Sequence, residues 1–461
     1  MGKGCARCIV FLLILSLLAG CNAPKSHLQT FNKHFTNSKV EKSLEFAQSK
    51  IGKRKNPAGE DLLWTLQAAT IERLRRNYRK STEYFDKSEE MLKYFDYQNK
   101  TLDSATSIAV NENIVPYLGE EYDGIMVNTY KALNFMALGD TDLARVEFNR
   151  ALDRQRRAKE TFAEEIAKTK ERLDKNQGNE GSLAKKSAEN PEIQKLISQR
   201  YRGLDAFKAY PDFVNPFTTY MAGVFFNLVG DPAKAVTFLK ESTGMVPDNA
   251  YIAEDLALTE NILDGRAVLE DNVWIIFENG LGPVKEEFRI DLPLFVTTDK
   301  VKYVGIALPQ LRFRQQACTD LSIKAGGQTY TTQMVANMDR VIQTEFKKDF
   351  QGILTRAIIS ATAKAVAQYA TQKNEDSSAQ LASLLVAAYS YATTAADVRI
   401  WTTLPKNFQV ARFTIPEDRQ ITITPAGFES FEVEIGPCKN AIVYIRIPYR
   451  QANTVVDIIS Y

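Results

Sequence analysis

The texture of this chain changes once, near Gly265, and that change limits the folds open to it. From residue 61 to 265, apolar residues recur at three- and four-residue spacing with few strand signals, the period of helices buried on one side. Short segments rich in β-branched and aromatic residues follow, bounded by Gly or Pro: 273–277, 288–296, 301–308 and 321–324, then 408–415, 420–424, 428–435 and 441–447. Alternation is clean in Arg419-Gln-Ile-Thr-Ile-Thr and Phe431-Glu-Val-Glu-Ile, so one face of each strand is buried and the other wet. The expectation is an α+β, multidomain chain. A helical domain spans 61–265, and a β-sandwich-like domain spans 266–461 with residues 334–397 inserted as helices. A chain of 461 residues is long enough to give each a sizeable core.

Two segments interrupt these domains. Residues 154–200 are dense in Lys, Glu and Arg and break at Gln177-Gly-Asn-Glu-Gly181, which reads as two charged helical arms, either solvated faces or interaction arms. In the insert, 353–370 and 377–396 read as a helical hairpin turning at 372–376. The second half carries no charge and is full of Ala, Ser, Leu and Tyr. A buried or subunit-facing hairpin is the better reading than a bilayer-inserting one, because Arg356 and Lys364 interrupt the first half.

The helical half contains internal similarity. Leu138-Gly139-Asp140-Thr-Asp-Leu-Ala144, with Phe148 and Ala151-Leu152 after it, matches Val229-Gly230-Asp231-Pro-Ala-Lys-Ala235, with Leu239, Ser242 and Pro247. Both units resemble the tetratricopeptide repeat, a helix-turn-helix of about 34 residues. Ala132 and Gly223 take the small position of that family's first helix, Phe135 and Phe226 the nearby aromatic one. Asp140 and Asp231 suit the start of the second helix. A worn third copy runs from Leu62 through Tyr78, Ser81, Phe85 and Ser88 without the Gly. The repeat resemblance implies a concave surface for peptide segments, lined by Met126, Thr129, Leu133, Met136, Phe217, Tyr220, Val224 and Asn227. Packing of these residues against the charged arms or the β-domain is the alternative.

No catalytic constellation rises above background. The only histidines are His27 and His34, near the N-terminus, which excludes most imidazole-based hydrolysis and His-rich zinc sites from the body. Gly280-Leu-Gly282-Pro283 and Ala325-Gly-Gly-Gln328 read as turns between strands, with no Lys-Ser/Thr to make a phosphate loop. Glu286 and Glu287 are adjacent on a strand and point to opposite faces. The chain is expected to be no enzyme and to hold no metal or cofactor. Trp274 and Trp401 read as core aromatics rather than sugar-stacking platforms. Cys318 and Cys438 either bridge the two halves of the β-domain or sit as separate buried thiols.

The N-terminus carries an address. Lys3 and Arg7 precede the apolar run 9–17, which exits through Leu18-Ala19-Gly20-Cys21: a secretory signal at 1–20, too short and wrongly flanked to span a bilayer. Its end resembles the lipobox of bacterial lipoproteins. That resemblance implies acyl chains on Cys21, palmitate among them, and a lipidated tether over 21–60. Asn22, in place of an Asp, favours the periplasmic face of the outer membrane. Without Lys3 and Arg7 the chain has 56 basic and 56 acidic residues, which argues against nucleic acid as a partner.

Val273-Trp274-Ile-Ile-Phe277-Glu-Asn-Gly280 and Asp397-Val-Arg399-Ile-Trp401-Thr-Thr-Leu404-Pro405 resemble an uncharacterised family of tetratricopeptide-containing lipoproteins of Gram-negative bacteria. The resemblance implies a lipid-anchored protein-binding scaffold or adaptor in envelope assembly, linked through gene neighbourhood to peptidoglycan synthesis. A glycan-binding or glycan-processing envelope protein is the alternative, which clustered exposed aromatics and close carboxylates would favour.

Overall fold

A computed structural model describes residues 23–54, 56–57, 59–101, 116–175, 183, 186–187, 189–201, 215–295, 301–372 and 395–461. It opens with helices α1 (Ala23–Thr36) and α2 (Val40–Lys50), followed by α3 (Asp61–Leu74) and α4 (Tyr78–Thr101). Then come α5 (Glu121–Ala137), α6 (Thr141–Lys175), α7 (Pro191–Arg200), α8 (Pro216–Leu228), α9 (Pro232–Met245) and α10 (Ala250–Leu263). From Ala23 on, the expected tether is instead a folded helical hairpin. Leu28, Phe31 and Phe35 recur at three- and four-residue spacing, and with Leu44 and Ala47 they are buried in the main core. The Trp64 indole meets the rings of Phe31 and Phe46 edge-on, at 5.6 and 5.7 Å.

One turn design recurs along this array. Ser38, Arg76, Gly139, Gly230 and Gly265 all stand in the left-handed region. In each case the next N–H reaches back to the carbonyl five residues earlier: Lys39 to His34, Asn77 to Glu72, Asp140 to Phe135, Asp231 to Phe226 and Arg266 to Asn261. These are helix C-terminal motifs of the Schellman kind. The worn copy keeps the geometry with Arg76 in place of the glycine. Asp140 and Asp231 then cap the following helices, accepting from the amides of Leu143 and Lys234.

The β region holds two sheets and a separate ribbon. Its strands are β1 (Asn272–Asn279), β2 (Val284–Phe295), β3 (Val301–Arg312), β4 (Leu321–Ala325), β5 (Gln328–Thr331) and β6 (Gln333–Asn337). After the long helix α11 (Met338–Gln372) come β7 (Asn407–Thr414), β8 (Gln420–Pro425), β9 (Phe431–Glu434), β10 (Asn440–Ile447) and β11 (Val455–Ser460). One sheet has the order β11-β10-β1-β7-β6, the other β5-β4-β8-β9. Among the described residues only the β1–β10 pair is parallel. β1 and β10 are buried at all eight positions, as strands covered on both faces must be. Helices cover one face and the second sheet the other.

Two expectations change here. The segments 288–296 and 301–308 join neither sheet. They form the β2–β3 ribbon, which with α7 and α11 encloses a second, smaller apolar core around Ile197, Leu292, Ile306, Phe350 and Leu354. The insert also begins later than expected, because 333–337 is strand β6 and the helix starts at Met338. The expected hairpin turn at 372–376 and most of its second helix lie outside the described residues. Helices and sheets share one apolar cluster running from Leu28 to Ile459. No described helix is long and apolar enough to cross a membrane.

Candidate functional site

The eight residues expected to line a peptide groove are brought together, but the chain's own helices and central sheet cover them. Met126, Thr129, Leu133, Met136, Phe217, Tyr220, Val224 and Asn227 are all buried. The Phe217 ring stacks on Phe408 of β7, and the Thr129 and Thr218 hydroxyls share a hydrogen bond of 2.8 Å. Asn215 donates to the Met126 sulfur. Tyr220 donates to Asp255 of α10 at 2.7 Å, and Asn227 donates to Thr259 at 2.8 Å. The groove is therefore core. α8 contains no charged residue, and a helix without a polar face is buried all round; that was the readable signal. Inside the repeat, a Cβ on Gly223 would lie 2.8 Å from Cγ of Leu239, so the small residue lets α8 and α9 close.

Sequence reasoning missed a layer of buried charge at the helix–sheet junction. Glu278, fully buried on β1, pairs with Arg446 of β10 at 2.8 Å and accepts from the Tyr444 hydroxyl. Beside it, the Arg73 guanidinium lies over the rings of Tyr444, Tyr130 and Tyr78 and donates to Asn134 at 2.6 Å. Trp401 donates to Thr70, and Thr403 donates to Gln67. The charges here pair within the chain, although the Tyr130 hydroxyl and Arg446 Nε are buried without a hydrogen-bond partner among the described residues, so the layer specifies how α3 and α5 register on the sheet.

A second polar region collects acids from three distant segments and a lysine from a fourth. Glu120 and Asp123 flank the start of α5, Lys285 sits on β2, Glu345 and Asp349 on α11, and Asp397 precedes β7. Glu345 accepts from the amides of Glu121, at 2.5 Å, and Tyr122, at 3.2 Å. Lys285 bonds Glu120 at 2.8 Å, and Asp397 holds Arg399 through both carboxylate oxygens. One carboxylate oxygen each of Glu120, Glu345 and Asp349 lies within 4.8 Å of the other two. Burial, then the Glu120 and Asp349 carboxylates, push the Glu345 carboxyl well above the usual range. Burial pushes Asp123 up to about 7, although the Tyr117 hydroxyl donates to it.

The remaining candidates are placed as follows. Cys318 and Cys438 are both free, which overturns a bridge between them. The Cys318 carbonyl accepts from Asn279 at the far end of β1, whereas Asn440, two residues after Cys438, pairs with Asn272 at its start. An eight-residue strand, about 23 Å at the usual rise, separates them, against the roughly 6 Å a disulfide spans. Trp274 and Trp401 are buried. Glu286 pairs with Arg312 while Glu287 pairs with Arg289. Cys21 and the signal lie outside the described residues.

The class this architecture defines is an α+β protein in which helical hairpins and a two-sheet β region close on one core. No family model matches the chain, and no curated protein matches it. Among solved structures, a tetratricopeptide repeat protein from Parabacteroides merdae matches with a TM-score of 0.14 and 10% identity, covering 52% of this chain and 100% of that one.

Proposed function

We propose that the chain is an outer-membrane lipoprotein facing the periplasm, acylated at Cys21, that serves as a scaffold or adaptor in envelope assembly. The groove is closed, so partner contact belongs to other elements, the charged arm first. The observation that carries this reading is the reach of α6. Its 35 residues against 17 in α5 give about 52 Å against about 26 Å at 1.5 Å per residue. The part of α6 beyond the length of α5 overlaps the charged segment that begins at Arg154. The ribbon β2–β3, with α7 and α11, has a core of its own.

The anchoring half of the proposal rests on Leu18-Ala19-Gly20-Cys21 and on the position of α1. Only Asn22 separates Cys21 from Ala23, the first residue of α1. Two extended residues reach about 7 Å, so acyl chains on Cys21 would hold the body against the bilayer. The glycan alternative loses its stacking platforms, since Trp274 and Trp401 are buried.

The test uses photo-crosslinking residues placed within 160–175, and as controls on the convex turn at Leu138. Crosslinked partners from the arm positions support the adaptor; partners only from elsewhere, or none, reject the arm as its contact. Cys21→Ala should abolish acyl labelling and release the protein from membranes, and unchanged labelling rejects the anchor.

A further inference from the structure

We propose that Glu120, Glu345 and Asp349, with the Tyr122 hydroxyl, form a site for a hard divalent cation, Ca2+ in the first instance. Three carboxylates from two elements converge at the N-terminus of α5, with one oxygen of each inside a 4.8 Å span. Oxygens this close can share one ion, and Ca2+, the larger ion, accepts six to eight oxygens in irregular geometry where Mg2+ demands a near-ideal octahedron and keeps its waters. All the ligand atoms are oxygens, the preference of such ions.

A second observation is independent of the acids. Tyr122 is 2% exposed, and its hydroxyl has no hydrogen-bond partner among the described residues. That hydroxyl feels the charges of Glu120, Glu345 and Asp349 as well as Asp123. A buried hydroxyl without a partner is unfavourable, and a cation held by these carboxylates gives its oxygen one.

The amides of Glu121 and Tyr122, at the positive end of α5, orient the Glu345 carboxylate, and a bound cation would hold the same group from its other side. It would also clasp α11, and with it the ribbon, onto the helical array.

The experiment titrates chelator-stripped full-length protein with Ca2+, and separately with Mg2+, by calorimetry. Tyrosine-sensitised luminescence of Tb3+ serves as a second readout. Saturable binding at one site per chain is expected, with a rise in thermal midpoint. Glu345→Gln and Asp349→Asn should each weaken it by about tenfold or more, and Asp349, being half-buried, tolerates the change with an unaltered circular dichroism spectrum. Asp153→Asn, on an exposed stretch of α6, should leave binding intact. Absence of saturable binding by either ion at millimolar concentration overturns the site. Unchanged binding in Glu345→Gln and Asp349→Asn overturns it too, by showing an adventitious ion only. Preference for Mg2+ over Ca2+ overturns the size argument and the choice of ion. None of these outcomes depends on acylation or on the α6 arm.

Discussion

The Phe217 ring lies flat on Phe408, with 3.6 Å between centroids and 7° between planes. One ring belongs to a repeat helix and the other to the central sheet, so the two halves of the chain are joined by a core contact. Phe217→Ala and Phe408→Ala should each cost about 3–5 kcal/mol. A double-mutant cycle in urea should return a coupling of about 0.5–1.5 kcal/mol. Two separate calorimetric transitions, or zero coupling, would show that the halves fold independently.

Two glycines should respond with opposite signs. Gly223→Ala brings a Cβ within 2.8 Å of Leu239 and should destabilise by about 1–3 kcal/mol through overpacking. Gly244, on α9, has nothing within 4 Å of that position, so Gly244→Ala should stabilise by about 0.5–1 kcal/mol. Chemical denaturation of both variants checks the pair, and equal effects would contradict the close approach of α8 and α9.

Acid should weaken the protein through Lys131. Its ammonium bonds Asp86, Glu89 and Glu147 at 2.8, 2.8 and 2.9 Å, tying α4, α5 and α6. Burial alone would raise the Glu89 carboxyl, but Lys131 and Lys93 hold it down at about 2. A depressed folded value means stability present above about 4.5 and lost as pH falls through about 2, on the order of 2 kcal/mol after screening. Lys131→Met takes away the buried cation and leaves Glu89 to Lys93 and Glu147 to Arg150; it should cost about 1–3 kcal/mol near neutral pH, with a flatter acid limb. An unchanged limb in urea melts from pH 5 to 2 would refute the assignment.

Thiol chemistry should separate the two cysteines. Burial, with Asp320 adding to it, pushes the Cys318 thiol up to about 11, so little thiolate exists at pH 8. Iodoacetamide should modify the half-buried Cys438 in the folded protein and Cys318 only after denaturation. Peptide mapping of denatured, unreduced protein should find both alkylated; protection of both would mean a bridge.

Much of the helical half was legible because its rules are local. Gly139-Asp140 and Gly230-Asp231 announce a left-handed turn and a helix cap within two residues, and both appear as read. Ser38 and Arg76 adopt the same turn with no residue that demands it, so the hairpins they close were harder to read. Strand texture located β1, β4, β7, β8 and β10. It could not say that β2 and β3 leave the sandwich, because sheet membership depends on pairing partners far along the chain. The groove failed for a related reason: a helix face rich in Phe, Tyr and Val looks the same whether a peptide or a sheet covers it. The acid cluster was invisible, since Glu345 meets the amide of Glu121 across 224 residues.

The hairpin formed by α1 and α2 has a consequence for how the chain matures. Asn32 is bonded to Thr402 across 370 residues, and Ser38 to Tyr449 across 411. β1 waits likewise for β10, its parallel neighbour. The earliest part of the body to be synthesised is thus completed by the last. Contacts of such high order fold slowly, and the packing of the leading helices is complete only when the carboxyl-terminal strands arrive. A nonsense codon removing only β10 and β11 would leave α1 and α2 their contacts with Trp64 but take away Tyr449 and the parallel neighbour of β1, and proteolytic quality control would read the whole product as unfinished.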